Sequence, residues 1–249
     1  MKLYINFKKN KFLPKIKEII SNFFLLLKDK YFYIAVSVLI GGIQLNFFCQ
    51  NYLLDYTKNG SSLPVLSDLI LDNIPLWDID YIYDIFSLVS LFAIIFYMIH
   101  RKKYDKIPYL ILLSGIFQIV RGFFIVLTPF GNPPGFDGTE GLFNGFSKIE
   151  LGVYPSGHTG ISFLYFLFAE DSLYKFILLS SVIIIIIALF LSRGHYTIDI
   201  LSGIFFAYAI KAYGDKHFLD KMTQAYSKNN KNKLIKIDFS GLKEFKKSS

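Results

Sequence analysis

Two short stretches carry residues able to do chemistry: "YPSGHTG" (154–160) and "SRGHYTID" (192–199). In the second, His195 and Asp199 are four residues apart, a spacing that puts them on one helical face one turn apart. A carboxylate so placed accepts the proton of one imidazole nitrogen and leaves the other facing outward as a nucleophile. In the first, Ser156 and Gly157 are small residues where a helix is predicted to begin, and the N–H groups of a helix start favour an anion such as phosphate. His158 beside them is suited to protonate a leaving alkoxide. Arg193 and Arg121 supply planar guanidinium forks that match phosphate oxygens. Phosphoryl transfer asks for little beyond such positioning and charge stabilisation.

These groups must be held by elements written largely in apolar residues. Of the 249 residues, 53% are hydrophobic and only 18% charged, and runs such as "FILLSSVIIIIIALFLS" (176–192) have the length and apolarity of membrane-crossing helices. Six spans are predicted, over 31–50, 81–100, 107–129, 157–171, 174–192 and 195–213. The predicted fold is therefore all-α, a polytopic bundle of six transmembrane helices. Ionisable side chains inside such spans are costly, so His158, His195, Asp199 and Arg121 mark a site rather than a solvated face. The single Cys49 excludes an intrachain disulfide framework and a thiolate metal cluster. No cleavable signal peptide is expected, since no A-x-A-like site follows the first apolar run.

Charge sets the orientation. Residues 1–30 hold eight Lys against two acids, "RKKYDK" (101–106) holds four bases against one acid, and the tail from 215 holds nine Lys against four acids. By contrast, 51–80 holds one Lys and five Asp, and 130–156 holds one Lys and three acids. The excess of Lys and Arg on cytoplasmic loops then places both termini and "RKKYDK" in the cytoplasm. The chain divides into a basic N-terminal segment (1–30), a membrane unit (31–214) and a basic tail (215–249). The net charge of +8 is thus membrane-flanking, and no fold for reading nucleic acid is visible. Spans 4 and 6 begin at the outer face, and Arg121 lies in the outer half of span 3, so residues far apart in sequence converge on one side. The excess of Lys, Asn, Ile, Phe and Tyr fits an AT-rich bacterial genome. The expected location is a bacterial cytoplasmic (inner) membrane with the site on its extracytoplasmic face.

"YPSGHTG" followed by "SRGHYTID" resembles the second and third signatures of the type 2 phosphatidic acid phosphatase superfamily, and more closely its sphingomyelin synthase-like branch. "LPVLSDLILDNIP" (63–75) resembles the branch's Pro-Leu-Pro-Asp region, and "VRGFFIVLTPFGNPPG" (120–135) its Arg-containing segment ending in a Thr and prolines. The resemblance covers roughly residues 60–210. It implies a six-helix bundle, His195 as the nucleophile forming a phosphohistidine, Asp199 as its support, His158 as the proton donor, and no metal or other cofactor. The chain departs from the phosphatase pattern in lacking its Lys and Arg-Pro, and in separating Arg193 from His195 by Gly194 alone. It departs from the synthases in reading Glu150-Leu151-Gly152 where they carry Cys-Gly-Asp.

Other readings of the same residues are weaker. A metal site on His158, His195 and Asp199 lacks a fourth strong ligand at a sensible spacing. Ser156 lacks the Gly-x-Ser-x-Gly elbow of a nucleophile and is better placed as a helix cap. The expected partners are a membrane phospholipid or lipid phosphate and, if the group is passed on, a lipid alcohol. The competing hypothesis is a membrane protein that binds or transports a lipid phosphate without chemistry. An oriented imidazole–carboxylate pair is more than such a binder needs.

Overall fold

A computed structural model of the chain describes residues 12–136, 151 and 154–228. The first eleven residues of the basic segment, residues 137–150 and 152–153 of the loop before "YPSGHTG", and residues 229–249 of the basic tail lie outside the described residues. Seven α-helices follow in order: α1 (Phe12–Leu26), α2 (Lys30–Lys58), α3 (Asp80–His100), α4 (Ile107–Leu127), α5 (Gly157–Phe168), α6 (Ser172–Leu191) and α7 (Thr197–His217). Among the described residues there is no strand. Four segments, 30–58, 80–100, 104–127 and 172–191, are long and apolar enough to cross a membrane. Large apolar side chains such as Phe48, Phe96, Phe176 and Phe205 point outward from these helices and α7, a surface suited to lipid rather than water.

The helices pack in pairs, α2 on α4, α3 on α6, and α5 on α6 and α7. The first pair is drawn together at two glycines. A Cβ at Gly115 would meet the Leu39 nitrogen at 2.6 Å, and one at Gly42 would meet the Gly115 carbonyl at 2.7 Å. Without side chains there, the two backbones approach closely, the arrangement that lets apolar helices pair where no hydrophobic effect drives them. The main core lies between α3, α4, α5 and α7, around Ile94, Tyr97, Leu113, Phe117 and Leu164.

One expectation changes. The segment predicted to span 157–171 is a helix of only 12 residues, about 18 Å long at 1.5 Å per residue. It stops because Ala169 turns extended and Asp171 starts the next helix, its side chain accepting from the N–H groups of Leu173 and Tyr174. The described parts of the flanking basic segments are helical and pack on the bundle. Helix α1 lies inside 1–30, and its Leu25 and Leu26 are buried with Tyr104 and Tyr226. Helix α7 runs on to His217, and a further helical stretch, 219–228, returns to α1, where the Tyr226 hydroxyl donates to Asn22 Oδ1 at 3.1 Å.

At that same end, the turn 101–106 is clasped to the α5–α6 turn. Glu170 pairs with Lys103 (2.8 Å) and Lys106, Asp171 with Arg101, and Lys102 with Glu18 of α1 at 2.6 Å. The hydrogen bond from Lys103, followed by that from Lys106, holds the Glu170 carboxyl at about 2, below its ordinary 4.5. A carboxylate whose pKa is lower folded than unfolded contributes stability fully above its ordinary value and loses it as pH falls toward the folded one. The clasp is therefore expected to weaken between about pH 4.5 and 2. Thermal unfolding of the wild type and of Glu170→Gln in that window checks this. The wild type should lose its advantage over the variant as pH falls, by an amount limited by the exposure of these side chains to solvent.

Candidate active site

The opposite end of the bundle, where α3, α5 and α7 begin, gathers the residues singled out above. Ser156 caps α5, its hydroxyl accepting from the Thr159 N–H at 3.3 Å, while its own N–H donates to the Asp199 carbonyl at 3.0 Å. This last bond ties the start of α5 to the first turn of α7. The two helices touch there because Gly203 has no side chain, and a Cβ on it would lie 2.7 Å from the Ser156 carbonyl.

His195 precedes α7 and is buried, its Nδ1 3.3 Å from Asp199 Oδ2. That oxygen also accepts from the Tyr196 N–H at 2.9 Å, so the carboxylate both closes the helix start and orients the imidazole. With Nδ1 engaged, Nε2 is the nitrogen left for chemistry. His158, in the first turn of α5, presents Nε2 to Asp84 Oδ1 of α3 at 3.2 Å, and its ring lies 4.9 Å from that of Tyr83. Asp84 is buried at 3% exposure. The two imidazoles stand 6.3 Å apart between ring centres. The site thus contains two imidazole–carboxylate pairs rather than one.

Arg121 completes the group. Its Nε donates to the Pro155 carbonyl at 3.1 Å, and its Nη1 to Asn46 Oδ1 of α2 at 2.9 Å. Asn46 is itself fixed by donating to the carbonyls of Gly42 (2.8 Å) and Gln118 (2.6 Å). A Cβ at Gly157 would sit 3.3 Å from Arg121 Nε, so the glycine lets the guanidinium lie across the start of α5. Arg121, Gly157, His158 and His195 line one cavity of about 350 Å³, with Gln50, Gln118 and Ser87 as further polar walls.

Ser156, Asp199 and Arg193 stand behind that lining. Ser156 and Asp199 are fully buried and act through the backbone and through His195. Arg193 adopts φ 56°, a left-handed conformation that costs a non-glycine residue about 1 kcal/mol or more. Its guanidinium donates to two carbonyls, Pro134 from Nη1 at 3.1 Å and Leu71 from Nη2 at 3.3 Å. Arg193 therefore ties the loops after α2 and α4 to the start of α7. Asp68, within the stretch "LPVLSDLILDNIP", does the same from the other side: its carboxylate accepts from the Thr197 N–H at 2.6 Å and the Thr197 hydroxyl at 2.8 Å. Burial acts to raise the Asp68 pKa, but the bonds from Thr197, Leu71 and Ile70 outweigh it and hold the carboxyl below its ordinary range.

Asn46 and Asp84 lie outside the motifs that marked the site in the sequence. A polar residue within a long apolar span was the available signal for both. Comparison with known protein families, with curated proteins and with solved structures finds no match.

Proposed function

We propose that this protein is an integral-membrane enzyme that cleaves a lipid phosphoester through a phosphohistidine at His195 and passes the phospho-group to water or to a lipid hydroxyl. The observation that carries the reading is the facing pair of imidazoles, each backed by a buried carboxylate, on one cavity that also holds a fixed guanidinium. A binding protein would need the guanidinium but neither oriented ring. The order and wording of the motifs, which resemble those of the type 2 phosphatidic acid phosphatase superfamily and its sphingomyelin synthase-like branch, support the same reading.

In the first step, His195 Nε2 attacks phosphorus, a P–N bond forms and the bond to the lipid oxygen breaks. His158, oriented by Asp84, gives its proton to the departing oxygen. In the second step, water or an alcohol attacks phosphorus, His158 takes the proton of the attacking hydroxyl, and the P–N bond breaks to return His195. Asp199 balances the charge on the His195 ring throughout. Arg121 stabilises the equatorial phosphate oxygens, and Arg193, Ser156 and Gly157 hold the frame on which these groups stand.

The same proposal includes the topology. With α5 and α7 added to the four apolar segments, the chain crosses six times with both termini cytoplasmic. Helix α5 is too short to cross a hydrocarbon core of about 30 Å, but packing inside the bundle lets the irregular backbone at its ends lie at membrane depth. The site then opens toward the extracytoplasmic leaflet.

The test is an assay of the full-length protein in liposomes with labelled phosphatidic acid or a choline phospholipid, each with and without a lipid alcohol and with and without chelator. Inorganic phosphate from phosphatidic acid, independent of the alcohol, identifies a phosphatase; headgroup on the added alcohol identifies a transferase. Loss of turnover on adding chelator overturns the metal-independent mechanism. Asn46→Leu removes the partner that orients Arg121. Since a hydrogen bond to a charged group is worth about 1.5–3 kcal/mol, KM should rise on the order of tenfold or more, with a smaller change in kcat.

A further inference from the structure

The cavity between the imidazoles does not end at its polar walls. Leu91, Gln118, Ile161 and Tyr165 line it and also line a second, larger cavity of about 540 Å³. This chamber is walled almost wholly by apolar side chains of α1, α2, α3, α4 and α5, with Ile99, Tyr104 and Ile107 at its far end. On α3 the walls run from Ser87 in the first cavity to Ile99 in the second, and on α4 from Arg121 back to Ile107. At 1.5 Å per residue, these stretches are roughly 18 and 21 Å long.

Resting on the phosphoester reading of the polar cavity, we infer that the apolar chamber holds one hydrocarbon chain of the substrate and limits its length. The continuity of the two cavities selects the occupant: a molecule with a phosphate at Arg121 and a chain leading away from it fills both. Half of a hydrocarbon core of about 30 Å is what an ordinary membrane chain of about 16 carbons spans, so the chamber accepts such a chain at nearly full extension. The phosphate sits at the end where α5 and α7 begin and the chain runs toward the turn 101–106, along the helices. A second chain, where the lipid has one, stays in the bilayer.

Within a bilayer a longer chain gains no hydrophobic advantage by entering protein, because lipid is as apolar as the chamber wall. Chain preference therefore reports the walls themselves. The experiment uses the full-length protein in nanodiscs and a series of monoalkyl phosphates from 8 to 22 carbons as probes. Release of inorganic phosphate is followed on the protein with its own His195, and binding of the radiolabelled alkyl phosphates on His195→Ala. The expected profile is level to about 16 carbons and falls by at least tenfold by about 20 to 22, given a chamber of one leaflet's depth. Ile111→Trp fills the chamber about one helical turn short of Ile107 and should move the cut-off shorter by about four carbons. Ile99→Ala combined with Ile107→Ala opens the far end and should move it longer, a change that misfolding does not produce.

Binding with a cut-off that the variants move, but without phosphate release and without transfer of the phospho-group to an added lipid alcohol, keeps the chamber and overturns the catalytic reading. Phosphate release without a cut-off, or with one that neither variant moves, overturns the chamber and leaves the catalytic reading. Neither binding nor release of any probe overturns both.

Discussion

His195→Ala should abolish turnover of any phospholipid donor, with a fall of about 10⁴-fold or more, because nucleophile and intermediate disappear together. The wild type, mixed with donor labelled on phosphorus and quenched within a turnover, should carry a protein-bound label that acid removes and alkali spares. The variant should carry none. Asp199→Asn keeps the hydrogen-bonding shape but removes the charge that balances the ring, and it frees the side chain to present an N–H to His195 Nδ1. Loss of a similar supporting carboxylate in catalytic triads costs about 10⁴-fold, and a comparable fall is expected here. Because Asp199 also accepts from the Tyr196 N–H, the variant is to be checked by thermal unfolding beside the assay. Turnover by His195→Ala within tenfold of the wild type, or a stable label on another residue, would sink the phosphohistidine mechanism.

The pairing of His195 with Asp199 was legible because it is local. The short spacing keeps the two side chains together, although His195 precedes the helix cap Tyr196 and the contact is set by the cap of α7 rather than by a full helical turn. The convergence of Arg121, His158 and His195 on one cavity was legible for another reason: in an antiparallel succession of helices every second connection falls at the same end of the bundle. What was not legible depends on rotation of one helix against another. Asp84 reaches His158 across a separation of 74 residues, and only the packing of α3 beside α5 decides that its carboxylate faces inward. Asn46 likewise joins Arg121 because Gly42 and Gly115 let α2 and α4 approach until an amide can bridge them. Arg193 lies two residues from His195 in sequence, yet its left-handed backbone turns its guanidinium to the carbonyls of Pro134 and Leu71. Apolar composition marked the segments that form long apolar helices; it carried no information on which face of each turns inward.

Asp84→Asn should separate proton donation from phosphate binding. The Asp84 carboxylate, 3.2 Å from His158 Nε2, holds the ring in the orientation from which it can give a proton to a departing alkoxide. An alkyl phosphate has a poor leaving group and needs that proton; a nitrophenyl phosphate leaves as a stabilised phenolate and does not. With alkyl donors, His158→Ala should slow turnover by about 10²–10⁴-fold, the usual worth of a positioned acid, and Asp84→Asn should lose part of the same factor. With the nitrophenyl donor, both variants should remain within about tenfold of the wild type, since His195, Arg121 and Asp199 still supply attack and charge stabilisation. The two substitutions together should cost little more than His158→Ala alone, because Asp84 acts through the ring that is gone. Equal losses with both donors would assign Asp84 to binding or folding instead. A full additive loss in the double variant would mean that the carboxylate meets the substrate by itself.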